Sequence, residues 1–219
     1  MARMKKARWK EAKKFGIPSS RFIASSFISN SLFTLTESHY SRVLDVGCGE
    51  KPYRILFDDS KEYVGIDKKP CGADVIATAE WLPFRNDCFD CVICTQVLEH
   101  VEDPHRALRE MHRVLIKGAN LLISTHGFWL EQHEKEDYWR WTLKGLLRLQ
   151  ESAGFEVVDK RSMDPVPSIL QAGIFFLPDC VALRPIVSLV NLFAESLARL
   201  IHASGPRFHA IHMTKAVRK

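Results

Sequence analysis

Short apolar runs alternate along this chain with segments of helical periodicity. Five of the runs stop abruptly at a glycine or a polar residue, as strands buried in a parallel sheet do; they are RVLDV, EYVGID, ADVIA, DCVICT and NLLIST. Two later runs, FEVVDKRSM and HAIHMTKAVRK, have a similar character. The pattern therefore predicts seven strands.

Helical segments lie between several of these runs. The clearest has Asp103 as its N-cap and Pro104 at its first position, and it is predicted to stop near Gly118. One face of it carries the apolar residues Ala107, Leu108, Met111, Val114 and Leu115. Another helix is predicted from Thr142 to Ala153, ended by Gly154. This alternation predicts an α/β protein with right-handed crossovers and a doubly wound, mostly parallel, seven-stranded sheet.

The length of 219 residues suits one catalytic domain with a decoration. We expect a basic arm and a capping helix in residues 1–38, and a core in residues 39–163. A proline-broken helical insertion is predicted in residues 164–207, and residues 208–219 form the last strand of the core.

One helix of this insertion is predicted to open at Pro185. Its apolar stripe consists of Ile186, Val190, Phe193, Leu197 and Leu200. Charged residues interrupt the segment, so it is too polar to span a bilayer, which takes about 20 mostly apolar residues. The stripe could cover the core or act as an active-site lid, and the alternative is contact with a membrane or a partner.

The net charge of +5 is concentrated at the start of the chain. A single acidic residue, Glu11, faces seven basic ones, namely Arg3, Lys5, Lys6, Arg8, Lys10, Lys13 and Lys14. Such an arm is either a solvated end or a contact for phosphate or an anionic membrane surface. Since no long apolar run follows it, no signal peptide is expected.

Six irregularly spaced cysteines indicate a reducing, cytoplasmic setting rather than a disulfide framework. Cys88, Cys91 and Cys94 have metal-like spacing, but Cys91 and Cys94 lie on a predicted strand. Residues three apart on a strand point to opposite faces, so we expect no metal site there.

A glycine turn follows the first strand. Gly47 and Gly49 allow close approach of a ligand to the backbone, and Asp67 ends the second strand. In doubly wound sheets an acidic residue about 20 residues beyond such a turn meets ribose hydroxyls. The chain continues from Gly49 as EKP, so it lacks the dinucleotide-binding G-x-G-x-x-G, and it has no phosphate-binding G-x-x-x-x-G-K-[ST] loop.

Taken together, LDVGCG, VGID, LPF, FD, VLEHV, DP and RVL, in that order, resemble the type 11 group of class I methyltransferases. The resemblance implies a Rossmann-like fold and S-adenosylmethionine as cofactor, with S-adenosylhomocysteine as product. It implies that Asp45, Gly47, Cys48 and Gly49 surround the methionine part of the cofactor and that Asp67 holds the ribose. Thr78, Ala79 and Glu80 would flank the adenine, and Gln96 would face the methionine end and the acceptor. Lys68 is a further expected cofactor-binding residue. Two departures from the family pattern are Lys51 at the third small position and Thr78 in place of an acidic residue.

The later segment HEKEDYWRWTLKGLLRLQESAGF resembles a subgroup found near polysaccharide and cell-envelope biosynthesis. We therefore expect a small-molecule or saccharide-type acceptor, with His133, Asp137, Tyr138 and Arg140 as acceptor-binding residues. The same cluster could instead be a capped helix start with a packed tryptophan. His133 is the first candidate for a general base and His126 the second, because histidine titrates near neutral pH.

Two alternative functions remain beside the saccharide-type methyltransferase. The acceptor could be a quinone or isoprenoid lipid, with the insertion as an apolar cover. The chain could also be a cofactor-binding module without catalysis, as the departures at Lys51 and Thr78 suggest. No strong nucleic-acid signal is present, because CTQV replaces the Asn/Asp-Pro-Pro-aromatic pattern of enzymes that methylate base amines.

Overall fold

The computed structural model describes residues 22–36, 39–131, 136–175, 183–200 and 209–219. Within them, seven strands form one sheet in the order β3-β2-β1-β4-β5-β7-β6. Their bounds are β1 Arg42–Val46, β2 Glu62–Asp67, β3 Val75–Ile76, β4 Phe89–Thr95, β5 Leu115–His126, β6 Phe155–Ser162 and β7 Ile211–Arg218. The strands pair in parallel from β3 to β5, and β7 runs antiparallel to both β5 and β6.

Helices cover both faces of the sheet, which confirms the doubly wound prediction. Their bounds are α1 Phe22–Leu35, α2 Pro104–Val114, α3 Leu143–Ser152, α4 Pro165–Phe175 and α5 Arg184–Leu200, with 3-10 turns at Arg54–Phe57 and Leu98–His100. One apolar core joins the sheet to α2 and α3, and the other joins it to α1, α4 and α5. Cys94 belongs to the first core and Cys91 to the second, so these two thiols do face opposite ways.

Helix α2 begins as predicted but ends earlier. The Asp103 carboxylate caps it by accepting a hydrogen bond from the Arg106 amide at 2.9 Å. The helix ends at Val114, not near Gly118, because fully buried Leu115 pairs with Phe89 and opens β5. The next paired residue of β5 is Asn120, so the intervening residues bulge out of the ladder. Tertiary strand pairing has here overridden the helical periodicity.

The predicted apolar stripe of α5 is wrong in part. Val187 and Asn191 are buried, while Ile186 and Phe193 are 50% and 59% exposed. Helix α5 packs on α4 and α1, and the face turned to them carries Val187. A second apolar edge, including Leu189, therefore faces solvent. The side chains of Leu197 and Leu200 lie outside the described residues, as does the basic arm.

None of the helices in the described part of the chain is both long and apolar enough to cross a bilayer.

Candidate functional site

The candidate site lies at the carboxyl ends of β1, β2 and β4, where parallel strands release their loops. The chain leaves β1 through Gly47, whose φ of +69° is in the left-handed region. A Cβ added there would overlap Val97 Cγ2, in the segment after β4. The Cys48 amide donates to the Ile66 carbonyl at 2.9 Å, which binds the turn to β2. Glycine is thus required for the turn to pack against its neighbour.

Asp67, the last residue of β2, lies beside the same glycine turn. Its Oδ2 accepts a hydrogen bond from the Gly49 amide at 3.1 Å, and its Oδ1 accepts one from the Lys69 amide at 3.0 Å. Each carboxylate oxygen keeps a further lone pair, so this side chain is oriented and can still accept hydrogen bonds from a vicinal diol. The structure thus brings together the glycine turn and the acidic residue predicted for the ribose.

Lys51 occupies the turn position at which the family pattern has a small residue. It takes up a left-handed φ of +56°, and its Nζ lies 2.6 Å from Asp74 Oδ1. The other oxygen of Asp74 accepts the Gly65 amide at 2.7 Å. Gly65 has no Cβ at the point where the Lys51 stem and Cys48 Sγ pack against it. Lys51 therefore ties the turn to the loop after β2, with its ammonium group held at Asp74.

Asp45 forms the buried floor of the turn. Tyr63 donates to its Oδ2 at 2.5 Å, while Oδ1 has no hydrogen-bond partner among the described residues. Burial raises the pKa of Asp45 to about 7, against the lowering effects of the Tyr63 hydrogen bond and of Lys51. An under-satisfied buried carboxyl beside a glycine turn suits a ligand that brings donors or positive charge. Burial likewise raises the pKa of the neighbouring Cys48 thiol to about 12.

The predicted adenine-side residues form a short turn after β3. Thr78 makes an isolated bridge with Trp81, and Ala79 is buried. Two hydrogen bonds hold Glu80. Its side-chain carboxylate accepts one from the Glu102 amide at 3.2 Å, and its backbone carbonyl accepts one from Arg106 Nε at 3.1 Å. The Arg106 guanidinium also stacks on the exposed Trp81 ring, 3.0 Å from the centroid. Sequence reasoning did not foresee this stacking.

Gln96, which the resemblance places towards the acceptor, follows β4 directly. Its φ of +56° is unusual for a residue other than glycine. Its amide donates to the Ser124 carbonyl at 2.8 Å, and its side-chain Nε2 donates to Ser124 Oγ at 3.2 Å. The strained backbone is thereby held against β5, two residues before His126.

Glu99 and His126 form a buried polar pair that the sequence did not reveal. Glu99 is fully buried on the turn after β4, and its Oε1 lies 3.2 Å from His126 Nδ1, at ion-pair distance without linear hydrogen-bond alignment. Its Oε2 accepts Thr125 Oγ1 at 2.8 Å. Burial raises the pKa of Glu99 to about 7, opposed by the Thr125 hydrogen bond and by Arg140.

The segment after β5 crosses the same edge of the sheet. The Tyr138 and Trp139 amides donate to the Glu99 carbonyl at 2.8 and 3.3 Å, and Tyr138 is exposed. The charged side chain of Lys68 pairs with Glu136, whose carbonyl lies 2.5 Å from His100 Nδ1. These contacts place residues 136–139 beside the ends of β2 and β4.

The side chains of Asp137 and Arg140 contact each other, and Arg140 also contacts backbone carbonyls. Two Arg140 nitrogens each lie 2.6 Å from an Asp137 oxygen, and the guanidinium also donates to the carbonyls of Trp129 and Leu130. A role in binding the acceptor stays a prediction for both. His133, the first candidate for the base, lies outside the described residues.

Comparison with known proteins supports a methyltransferase family. Residues 44–123 match a family model described as a methyltransferase domain, and this stretch runs from β1 through β5, including the glycine turn, Asp67 and the Glu99 turn. This match and the relatives described below support a class I methyltransferase. The sheet order and the placement of helices on both faces of this methyltransferase agree with that fold.

Relatives of the methyltransferase match it over limited stretches. It is 29% identical over 135 residues to a tRNA U34 carboxymethyltransferase of Sulfurimonas denitrificans, covering 52% of this chain and 45% of that protein. It is 40% identical over 92 residues to a ubiquinone/menaquinone biosynthesis C-methyltransferase of Vibrio cholerae, covering 38% and 34%. The chain thus spans less than half the length of these curated relatives.

Solved structures extend the likeness to nearly the whole chain. An S-adenosylmethionine-dependent methyltransferase from Mesorhizobium loti aligns over 93% of this chain and 100% of its own, with a TM-score of 0.58 and 17% identity. At that identity the likeness shows the fold alone. It covers the sheet and both helical layers, and the choice of acceptor has to come from the site itself.

Proposed function

We propose that this methyltransferase transfers a methyl group from S-adenosylmethionine to an oxygen or nitrogen atom of a small-molecule or saccharide-type acceptor. One observation carries the cofactor part: the Asp67 carboxylate is held by the Gly49 amide at the mouth of a glycine turn. When bound, S-adenosylmethionine supplies a methyl group already activated on a sulfonium.

The residues present fit such a nucleoside. Asp67 would hold the ribose diol, and the turn at Gly47 and Gly49 would lie against the methionine part. No atom of the described chain lies within 4 Å of the Cβ position of Gly49, so the turn has open space on that side. The Asp45 oxygen that lacks a partner among the described residues adds negative character below it. Ala79 and the fixed Glu80 would flank the adenine.

Positioning carries most of this chemistry, because a sulfonium methyl needs little further activation. Well-oriented intramolecular reactions reach effective molarities of about 10⁵–10⁸ M, so alignment of the acceptor is the main task of the protein. An oxygen or nitrogen acceptor also has to lose a proton. His126, on the acceptor side of the site, supports a base at that point, and His133 remains a candidate by sequence. Tyr138, which is exposed beside Glu99, would contact the acceptor.

Calorimetry with S-adenosylmethionine and S-adenosylhomocysteine tests the cofactor site. We expect Asp67→Ala to weaken both affinities at least tenfold, or about 1.4 kcal/mol. Asp159→Ala is the matched control, since it removes a carboxylate on β6, the opposite end of the sheet. Asp67→Asn keeps an oxygen acceptor and should fall between the two. Equal affinity in wild type and Asp67→Ala would remove the site assignment.

A lipid acceptor is the second candidate, and the exposed edge of α5 favours it. Leu189 is 68% exposed and Phe193 59%, and Ile169 on α4 is 57% exposed. These side chains could meet a lipid that carries a quinone or isoprenoid acceptor, and a relative is named for quinone biosynthesis. Transfer of labelled methyl to water-soluble saccharide acceptors without lipid would exclude this candidate. Transfer only when anionic vesicles carry a quinone would replace the first proposal with it.

Loss of catalysis is the remaining alternative. The departure at Lys51 motivated it, yet in the structure the Lys51 ammonium group is held at Asp74. A chain that binds the cofactor but transfers no labelled methyl to saccharide, amine or quinone acceptors would be such a module.

A further inference from the structure

Building on the proposed function, we infer that Glu99 is a positioning residue: its buried carboxylate orients His126 as the base that takes the acceptor proton. The juxtaposition that carries this is Glu99 Oε1 at 3.2 Å from His126 Nδ1, at the carboxyl edge of β4 and β5. Glu99 itself touches neither substrate nor cofactor in this scheme.

The two oxygens of Glu99 have different partners. Oε2 accepts the hydroxyl of Thr125 at 2.8 Å, which fixes the carboxylate plane. Oε1 is thereby directed to the imidazole. The side chain is fully buried, and that of His126 is 8% exposed, so little water screens the contact. The Glu99 backbone amide also hydrogen-bonds to this carboxylate, yet a buried carboxylate remains costly unless a positive group faces it.

A purely architectural role for the Glu99 side chain is not needed to hold the loop. The contacts from Glu99 to the later segment use its carbonyl, which accepts the Tyr138 and Trp139 amides. Any residue at this position offers that carbonyl. The carboxylate oxygens instead contact Thr125 and His126, and we therefore connect this side chain with the imidazole.

A carboxylate at Nδ1 selects one tautomer of the ring. It favours the proton on Nδ1 and leaves the basic lone pair on Nε2. The His126 ring stacks on Trp129, with centroids 5.5 Å apart and an interplanar angle of 17°, so its plane is fixed as well. Gln96, which the resemblance places towards the acceptor, is bound to Ser124, two residues before His126 on β5.

The step balances as a proton transfer coupled to methyl transfer. As an acceptor oxygen or nitrogen forms its bond to the methyl carbon, the carbon–sulfur bond breaks and its electron pair stays on sulfur. The acceptor proton passes to Nε2 of His126. The imidazolium that results is stabilised by the Glu99 carboxylate, and Arg140 and Asp137 add opposing charge effects on that carboxylate. Nearby Cys94 is a buried thiol with a strongly raised pKa and takes no part.

Nitrogen NMR of the imidazole in the ligand-free protein tests the pair without any turnover. We expect His126 in wild type to be the Nδ1–H tautomer when neutral. Glu99→Gln should lower its titration midpoint by at least one pH unit, a tenfold change in proton affinity. Thr125→Val, which removes a contact to the same carboxylate but no charge, is the matched control and should move the midpoint much less. An Nε2–H tautomer in wild type, or an unchanged midpoint in Glu99→Gln, would overturn the inference.

Turnover gives the second readout. Glu99→Gln is expected to lower kcat at least tenfold and to leave cofactor affinity and the acceptor KM within about twofold, since base catalysis is worth about 10²–10⁴. Glu99→Asp should recover part of the rate. Loss of cofactor affinity in Glu99→Gln would count against a positioning role. If wild type transfers no methyl group at all, the proposed function fails, while the tautomer and titration still decide the pair.

Discussion

A methyl group added at Gly47 should damage the fold through two separable effects. Gly47 has a φ of +69°, and a Cβ there would overlap Val97 Cγ2. Gly49 has a similar φ of +49°, but no atom of the described chain lies within 4 Å of its Cβ position. Gly47→Ala therefore meets backbone strain and a collision, whereas Gly49→Ala meets strain alone. The two glycines of one turn thus form a matched pair.

The magnitudes separate the two variants. A left-handed conformation costs a residue with a Cβ about 1–2 kcal/mol. Overpacking in a well-packed region costs about 1–3 kcal/mol more. We thus expect a loss of unfolding free energy of about 1–2 kcal/mol for Gly49→Ala and about 2–5 kcal/mol for Gly47→Ala. For a domain of this size each kcal/mol lowers Tm by about 2–4 °C.

Urea unfolding of both variants, with and without Val97→Ala, provides the assay. Val97→Ala removes the colliding methyl groups, and the nearest remaining Val97 atom to the added Cβ is its own Cβ at 3.2 Å. The double variant should therefore recover the collision energy but keep the strain, a coupling of about 1–3 kcal/mol. If Gly47→Ala costs no more than Gly49→Ala, or if Val97→Ala brings no recovery, the close approach of these two loops is refuted.

Two further predictions concern side chains around the site. Lys51 has a strained φ of +56° and pairs with Asp74, so Lys51→Ala should lose the ion pair and keep the backbone strain. Lys51→Gly should relieve the strain and be more stable than Lys51→Ala by about 1 kcal/mol in the same urea assay. Equal stability of the two variants would contradict this. The buried imidazole of His212 has its Nδ1 at 2.7 Å from Ser162 Oγ, and burial, with His209 adding to it, lowers the pKa of His212 to about 4. The pKa of His212 in the unfolded chain is near 6.5, so the protein loses stability as pH falls from 6.5 towards 4, by about 3 kcal/mol. His212→Gln should flatten the pH dependence of Tm over this range, and an unchanged slope would refute this.

The sheet was predictable because buried parallel strands appear in sequence as uninterrupted apolar runs. Val43, Leu44 and Val46 are at most 1% exposed, and glycine follows them directly. Periodicity failed where two kinds of pairing competed for one residue. Leu115 continues the apolar stripe of α2, yet it lies opposite Phe89 in the sheet. No local signal distinguishes these two uses of a leucine.

The closeness of the glycine turn and Asp67 was predictable for a similar reason, since they follow neighbouring strands. The partner of Lys51 was not, because Asp74 lies beyond β2 and only the folded loop brings it within 2.6 Å. Glu99 was missed as a chemical group. In the run VLEHV a glutamate looks like a loop residue, and its burial depends on Thr125 and His126 at the end of a different strand.

Carboxylates at the two ends of the strands have different surroundings, and this difference supports the proposed site. At the amino end of β4, Asp90 accepts the amides of Ser41 and Arg42 at 2.6 and 2.9 Å, so both of its oxygens are satisfied. At the carboxyl edge, burial raises the pKa of Asp45 and of Glu99 to about 7. Such carboxyl groups destabilise the fold as pH rises from about 4 to about 7, because the unfolded chain loses their protons first. The polypeptide alone satisfies Asp45 and Glu99 only in part. In the proposed function a bound ligand would bring donors or positive charge to Asp45, and an imidazolium formed during turnover would face Glu99.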